Sequence, residues 1–319
     1  MIRKLVTVIL VVLVWSNLAF CGEIHDAAKA GDLEKVKALL KANPELVNSK
    51  DTNGCTPLFF AALYDFKPVV QLLLANKAEV NSRANDGNTS LHMALYGGSK
   101  DLVELLLANK ANVNAVGWAM HTPLHIAAED GYADTVKLLL ANHANPDARD
   151  FNGDTPLYAA ANTNVAELLL ANGAVLNIKN NFGETPLHRV VASPLKDYHP
   201  HDKDVAGFLL SKGIDVNVRN NEGSTPLHAA ATWGREDMAE LLLAKGADVN
   251  ATNNAGETPL HCAVHEDYKV VAELLITNAA DVNAMNNQGD TPLDYTKLFT
   301  DHEIGKMLRQ HGGTNSNLR

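Results

Sequence analysis

Thr-Pro-Leu recurs along this chain at Thr56, Thr122, Thr155, Thr185, Thr225, Thr258 and Thr291, and Thr89-Ser90-Leu91 fills the one gap. The spacings between these starts are 33, 33, 33, 30, 40, 33 and 33 residues. An earlier unit, Glu23-Ile24-His25-Asp26-Ala27-Ala28, sits one period upstream without the Thr-Pro, which makes nine units. A period of this size is the strongest constraint in the sequence, because each period is one supersecondary unit that cannot bury its apolar faces alone. Neighbouring units must therefore stack.

Every unit follows the same plan. Thr is a good helix N-cap, and Pro suits the first helical position, where its missing N–H costs nothing. A short apolar helix follows, as in Leu227-His228-Ala229-Ala230-Ala231, and Gly or Asp breaks it at Gly31, Asp65, Gly131, Gly234 and Asp267. A second helix carries Leu-Leu-Leu, as at Leu105-Leu106-Leu107 and Leu241-Leu242-Leu243. Ala-Asp-Val-Asn-Ala and a polar Asn/Gly turn then lead to the next Thr-Pro. A hydrophobic content of 46% supplies enough apolar material for such a core, so wholesale disorder is excluded.

These residues closely resemble the ankyrin repeat, whose Thr-Pro-Leu-His-x-Ala hallmark stands at Thr122, Thr185 (with Val for Ala), Thr225 and Thr258. The likeness runs over residues 22–313. It implies an all-α solenoid of stacked antiparallel helix pairs, projecting β-hairpin loops and a concave face that grips partner proteins. Many ankyrin repeats also carry Gly after the second helix, where the chain turns left-handed. Gly173, Gly213, Gly246 and Gly312 keep that pattern, whereas Lys77, Lys110, His143 and Ala279 do not. If those four adopt the left-handed conformation, each costs about 1 kcal/mol relative to Gly.

The period is broken in one place. The repeat from Thr155 is three residues short, and the next has seven extra residues within 193–203. Long loops in compact arrays are often functional, and a binding role stands here against a neutral insertion. The first unit's charged face, with Asp26, Lys29, Asp32, Glu34, Lys35 and Lys37, reads as a solvent-facing cap. The last unit replaces the motif His with Asp294, and residues 314–319 read as a disordered, frayed tail.

Residues 1–21 read as an export signal: Arg3 and Lys4, then an apolar run over 5–14, then Ala19-Phe20-Cys21. The apolar run is shorter than the roughly 20 residues that span a bilayer. Three outcomes stay open: cleavage before Gly22, lipidation of Cys21 in a lipobox-like setting, or retention as an anchor. The expected location is exported, periplasmic or secreted, with a possible tether through Cys21. Removing residues 1–21 takes Arg3 and Lys4 and no acid, so 27 basic residues fall to 25 against 37 acidic ones. An acidic chain repels phosphate backbones, which argues against nucleic acid and anionic membrane surfaces as partners. Cys55 and Cys262 lie about six repeats apart, which excludes a disulfide framework.

Catalytic motifs are absent. No nucleophile elbow, phosphate loop or Cys-x-x-Cys occurs, so no catalytic residue, cofactor or metal is assigned. His25, His92, His125, His188, His228 and His261 share one repeat position, and a periodic residue is explained by the period. The alternative is a metal- or thiol-dependent hydrolase centred on the 193–203 insertion, with His199-Pro200-His201-Asp202, or on Cys262 beside His261. Against it, adjacent helix residues point apart, and Cys262 reads as a small core thiol. Asn88-Thr89-Ser90 matches a glycosylation sequon, but Thr89 is expected to cap a helix.

The aromatic residues point to a binding face instead. Trp118, Phe151 and Phe182 fall at hairpin tips, and Tyr64, Tyr96 and Trp233 fall after the first-helix alanines. Rings of this kind are favoured as interface anchors. Lys50, Arg83, Arg149, Lys179 and Arg219 each lie six residues before a motif Thr. They form a cationic row expected to steer an acidic partner, while Asp154, Glu184, Glu257 and Asp290 precede the Thr in later repeats. The expectation is a monomeric protein-binding scaffold whose partner-binding residues are these six aromatics and five cations.

Overall fold

The computed structural model describes residues 22–192, 201–298 and 303–316. Residues 1–21, read above as an export signal, residues 193–200 of the insertion and residues 317–319 of the tail lie outside them. The described residues hold sixteen α-helices, four 3-10 helices and no strand. They fall into two compact units, one ending at Phe151 together with residues 171–173, and one formed by residues 152–170 and those from Ala174 onward. Each is all-α and built from stacked helix pairs.

The second repeat shows why the sequence folds this way. Thr56 caps the helix Pro57–Leu63 by accepting the Phe59 N–H on its hydroxyl, with proline at the first turn, and the whole helix is buried. Asp65 turns the chain with φ 61. The helix Lys67–Ala75 then returns with only Val69, Val70 and Leu73 buried. Its other residues face outward, as an amphipathic helix at the edge of a stack requires. First helices lie inside the stack: in the first unit Leu58, Leu91 and Leu124 are fully buried, and in the second Leu187, Leu227 and Leu260 are. These leucines contribute to the apolar burial that holds each unit together.

The second helices end as the repeat pattern foretells. Lys77, Lys110, His143 and Ala279 take φ of 67, 65, 65 and 67, the same left-handed turn that glycine makes in the other repeats. The projecting fingers are turns closed by a backbone hydrogen bond and not strand ladders. Asp51 N–H donates to the Cys55 carbonyl at 3.0 Å, and Asn180 N–H to that of Glu184 at 3.0 Å.

The broken period has local consequences in the second unit. The shortened repeat forms only a 3-10 turn, Pro156–Ala159, where its neighbours form an α-helix. Three missing residues leave too little chain for two helical turns. At the end of the insertion, the helix Asp202–Ser211 begins with a buried aspartate. Arg235, also buried, reaches Asp202 at 3.6 Å and Asp237 at 3.3 Å. At the C-terminal end, residues 314–316 are not loose as the sequence suggests. Thr314 N–H donates to Asn283 Oδ1 at 2.9 Å, and Ser316 N–H donates to Asp294 Oδ2 at 3.0 Å.

Candidate functional site

The motif histidines form a repeated structural bond. In five repeats (Thr89, Thr122, Thr185, Thr225 and Thr258) the Thr N–H donates to the ring Nδ1 of the His three residues on, at 3.1 to 3.2 Å. Nδ1 is therefore an acceptor, and the proton sits on Nε2. Nε2 faces a carbonyl of the next repeat: Ser224 for His188 at 3.1 Å, Glu257 for His228 at 3.0 Å, Asp290 for His261 at 3.2 Å. Burial lowers the pKa of His188, His228 and His261, and that of His92 to about 4. These rings are neutral inter-repeat struts.

Departures from the motif keep part of this job. Tyr158 stands in the shortened repeat and donates its hydroxyl to the carbonyls of Ile178 and Glu184. A phenol has nothing near its ring base to receive the Thr155 hydroxyl, which is buried without a hydrogen-bond partner. In the repeat from Thr291, Asp294 stands at the motif-histidine position. Asp294 there accepts both the N–H and the hydroxyl of Thr291 at 2.9 Å, and the tail as well. A carboxylate is an acceptor-only group, which suits these donors.

The cationic row also has a structural task. Lys50 Nζ donates to the Arg83 carbonyl at 3.1 Å, Arg83 to that of Val116 at 2.7 Å, and Lys179 to that of Arg219 at 2.8 Å. Arg219 reaches the Thr252 carbonyl in the same way. Each cation thus ties its hairpin to the one after it while its side chain stays largely at the surface. Arg149 is exposed at the equivalent place in the first unit. A second row carries the same logic on the other edge. Asn81, Asn114, Asn217, Asn250 and Asn283 donate their amides to the carbonyls of Lys110, His143, Gly246, Ala279 and Gly312. Those carbonyls belong to the left-handed residues. The signal for this row was the asparagine of the recurring Asp-Val-Asn.

The aromatic candidates separate into kinds. At hairpin tips, Trp118 is 63% exposed and Phe151 73% in the first unit, and Phe182 is 56% exposed in the second. At first-helix ends, Tyr64 is 39% exposed and Trp233 46%. Tyr96 is only half open, and burial drives its phenol above the ordinary range. Tyr64, Tyr96, Trp118, Phe151, Lys50, Arg83 and Arg149 belong to the first unit; Phe182, Trp233, Lys179 and Arg219 belong to the second.

Two of these rings occupy places with another customary occupant. At the hairpin tips Asn85, Asn221, Asn254 and Asn287 each donate a side-chain amide back to the preceding hairpin. Trp118 and Phe151 hold that position in consecutive repeats and keep no such amide. The Phe151 N–H donates to the Ala119 carbonyl at 3.0 Å, which sets the two tips side by side. Beneath them His121 stacks on His125 at 5.5 Å and approaches Asp150 at 3.5 Å.

The residues invoked for hydrolysis are placed otherwise. Burial pushes the Cys262 thiol up to about 12, so it is protonated at neutral pH and a poor nucleophile. Asp202 is taken up by Arg235, His201 is exposed beside Asp204 at 3.7 Å, and His199 lies outside the described residues. Among the described residues no group of three or more side chains has the makings of a metal site. Cys55 and Cys262 are not joined in a disulfide. No helix among the described residues is long and apolar enough to cross a membrane. Asn88 of the sequon is buried, and Thr89 caps its helix.

Comparison with known families agrees with this architecture. The family model described as ankyrin repeats (3 copies) matches residues 24–116, 119–180 and 162–253, and that described as ankyrin repeats (many copies) matches 242–295. A search of curated proteins gives no match.

Proposed function

The chain belongs to the ankyrin-repeat family, and from that premise we propose that it is an exported scaffold binding a partner protein through hairpin tips and the ends of its first helices. Ankyrin repeats are a protein-interaction module, and the coarse function follows from the family. The finer reading rests on one observation: large rings stand exposed at hairpin tips and first-helix ends. The stack is held by leucines, histidines and asparagines, while Trp118, Phe151 and Trp233 present much of their rings to solvent. Exposed Trp and aromatic side chains of this kind are the usual energetic anchors of interfaces. Tyr64 and Phe182 extend the surface within their own units, and the cationic row adds steering toward acidic partners.

Export rests on residues 1–21. The soluble product would begin at Gly22, whereas lipidated Cys21 or a retained apolar segment would tether the scaffold. Affinity purification of the full chain from an envelope fraction, compared with Trp118→Ala plus Trp233→Ala, tests the binding reading. It is supported by a specific companion protein that disappears in the double variant and refuted by unchanged recovery. Intact-mass analysis of the recovered chain reads the N-terminus in the same preparation.

A further inference from the structure

The third hairpin of the first unit has given up the residues that perform structural tasks in its neighbours. Val116 stands where Lys50, Arg83 and Arg149 stand, Gly117 where Asp51 and Asp150 stand, Trp118 where Asn85 stands, and Met120 where Gly54, Gly87 and Gly153 stand. The stretch Ala115-Val116-Gly117-Trp118-Ala119-Met120 is left with no charge and with the indole N–H as its only polar side-chain group. Its backbone is strained in return. Ala119 and Met120 take φ of 54 and 63 in succession, a conformation that side-chain-bearing residues avoid. Such strain gathers at functional sites.

The hairpin is nevertheless held firmly. Gly117 lies so close to Asn88 that a Cβ there would collide with its side-chain oxygen, and His92 Nε2 would be 3.0 Å away. The Trp118 N–H donates to that same Asn88 Oδ1 at 3.1 Å. Arg83 donates to the Val116 carbonyl at 2.7 Å. On this base Val116, Trp118, Met120 and the adjacent Phe151 are all exposed. They form a fixed apolar patch in the first unit, where the preceding tip carries Asn85.

The charge beside the patch is positive, although the chain as a whole is acidic. Arg83 and Arg149 belong to the hairpins before and after it, both exposed. A guanidinium carries five N–H donors, so one bond to a carbonyl orients Arg83 without exhausting it. Two acids of these hairpins are already engaged: Asp86 accepts the Asn88 amide at 2.7 Å, and Asp150 is buried against His121.

We propose that this hairpin is the anchor point for an acidic segment of a partner protein that carries a bulky apolar side chain. The apolar side chain seats against Trp118, Met120 and Phe151, and flanking carboxylates meet Arg83 and Arg149. This rests on the protein-binding reading above and adds to it the place and the chemistry of the partner. A membrane surface or a second copy of the chain would use the patch without that charge preference.

The test is selection of a random 16-residue peptide library on the full chain, with sequencing of the binders. Each selected peptide is then titrated against wild type, Trp118→Ser plus Phe151→Ser, and Trp233→Ser. Both variants change exposed side chains, and an unchanged melting midpoint verifies their fold. The expected binders combine a large apolar residue with flanking Asp or Glu. They lose at least about thirtyfold in affinity in the Trp118/Phe151 variant, the size of a hot-spot loss, and keep it in Trp233→Ser.

Binders that depend on Trp233 alone overturn this proposal and leave the protein-binding reading standing. Binders rich in Lys or Arg overturn the proposed chemistry. No binders at all overturn both. Two controls read the other occupants: partition of the chain onto phosphatidylcholine vesicles, and its sedimentation as a dimer. Either one, abolished by Trp118→Ser plus Phe151→Ser, overturns the proposal in favour of that occupant.

Discussion

Replacing Lys110 with glycine is expected to stabilise the protein, and the size of the gain follows from the structure. Lys110 sits at φ 65 at the end of its second helix. Left-handed backbone costs a side-chain-bearing residue about 1–2 kcal/mol. Glycine removes that cost but adds freedom to the unfolded chain worth about 0.4–1 kcal/mol. The net gain is about 0.5–1 kcal/mol. Nothing else changes sign. The Lys110 side chain is exposed, and the bond from Asn81 is made to the backbone carbonyl, which glycine keeps. The same reasoning covers Lys77, His143 and Ala279, also exposed and left-handed. Sites this far apart add, so the fourfold glycine variant gains about 2–4 kcal/mol. The reverse change is the control. A Cβ at Gly246 would meet no atom within 4 Å, so Gly246→Lys loses about the same amount through backbone strain alone. Denaturant unfolding of full chains reads both, with unchanged m-values required. Unchanged or lowered midpoints for both Lys77→Gly and Lys110→Gly refute the reasoning.

Other expectations follow from the inter-repeat bonds. Because burial lowers the pKa of His92, His188, His228 and His261, the unfolded chain binds protons before the folded one does. Stability therefore falls as pH drops below about 6.5, down toward about 4 for His92. His92→Phe flattens that slope, whereas an identical slope in this variant contradicts the assignment. Asp294→Ala removes the cap of the last repeat and costs about 1–2 kcal/mol, read as faster amide exchange over 303–316; unaltered exchange argues against the capping role. Arg235→Ala leaves Asp202 buried without its cation and costs about 3 kcal/mol or more, read as a lowered midpoint; a cost below about 1 kcal/mol would show that the pair is not buried in solution.

The helix pairs were legible because each unit announces itself by a cap, a proline and a leucine triplet at fixed spacing. The same regularity made the motif histidines readable as struts. The Lys50 and Arg83 row was legible as a position but not as a bond, since its carbonyl partners lie a full period away in chain. The asparagine struts were hidden for the same reason. A three-residue deletion could be counted, yet its effect, a 3-10 turn at Pro156–Ala159, depends on how much chain the helix needs. Exposure at Trp118 and Phe151 followed from their place in the hairpin. The strain at Ala119 and Met120 did not, because a non-glycine residue in the glycine slot signals either strain or a different turn. Tyr96 is the last residue of its helix, one repeat position earlier than the C-cap residues Tyr64 and Trp233, and is less exposed than they are.

The central claim is that exposed rings on these hairpins and helix ends bind another protein. Photo-crosslinking from single sites in the protein's own cells tests it most directly, with p-benzoylphenylalanine placed in turn at Trp118, Phe151, Trp233 and the exposed second-helix residue Lys137. The account predicts one discrete adduct from at least one aromatic site and none from Lys137. Adducts absent from all three aromatic sites, or equally strong from Lys137, would contradict it.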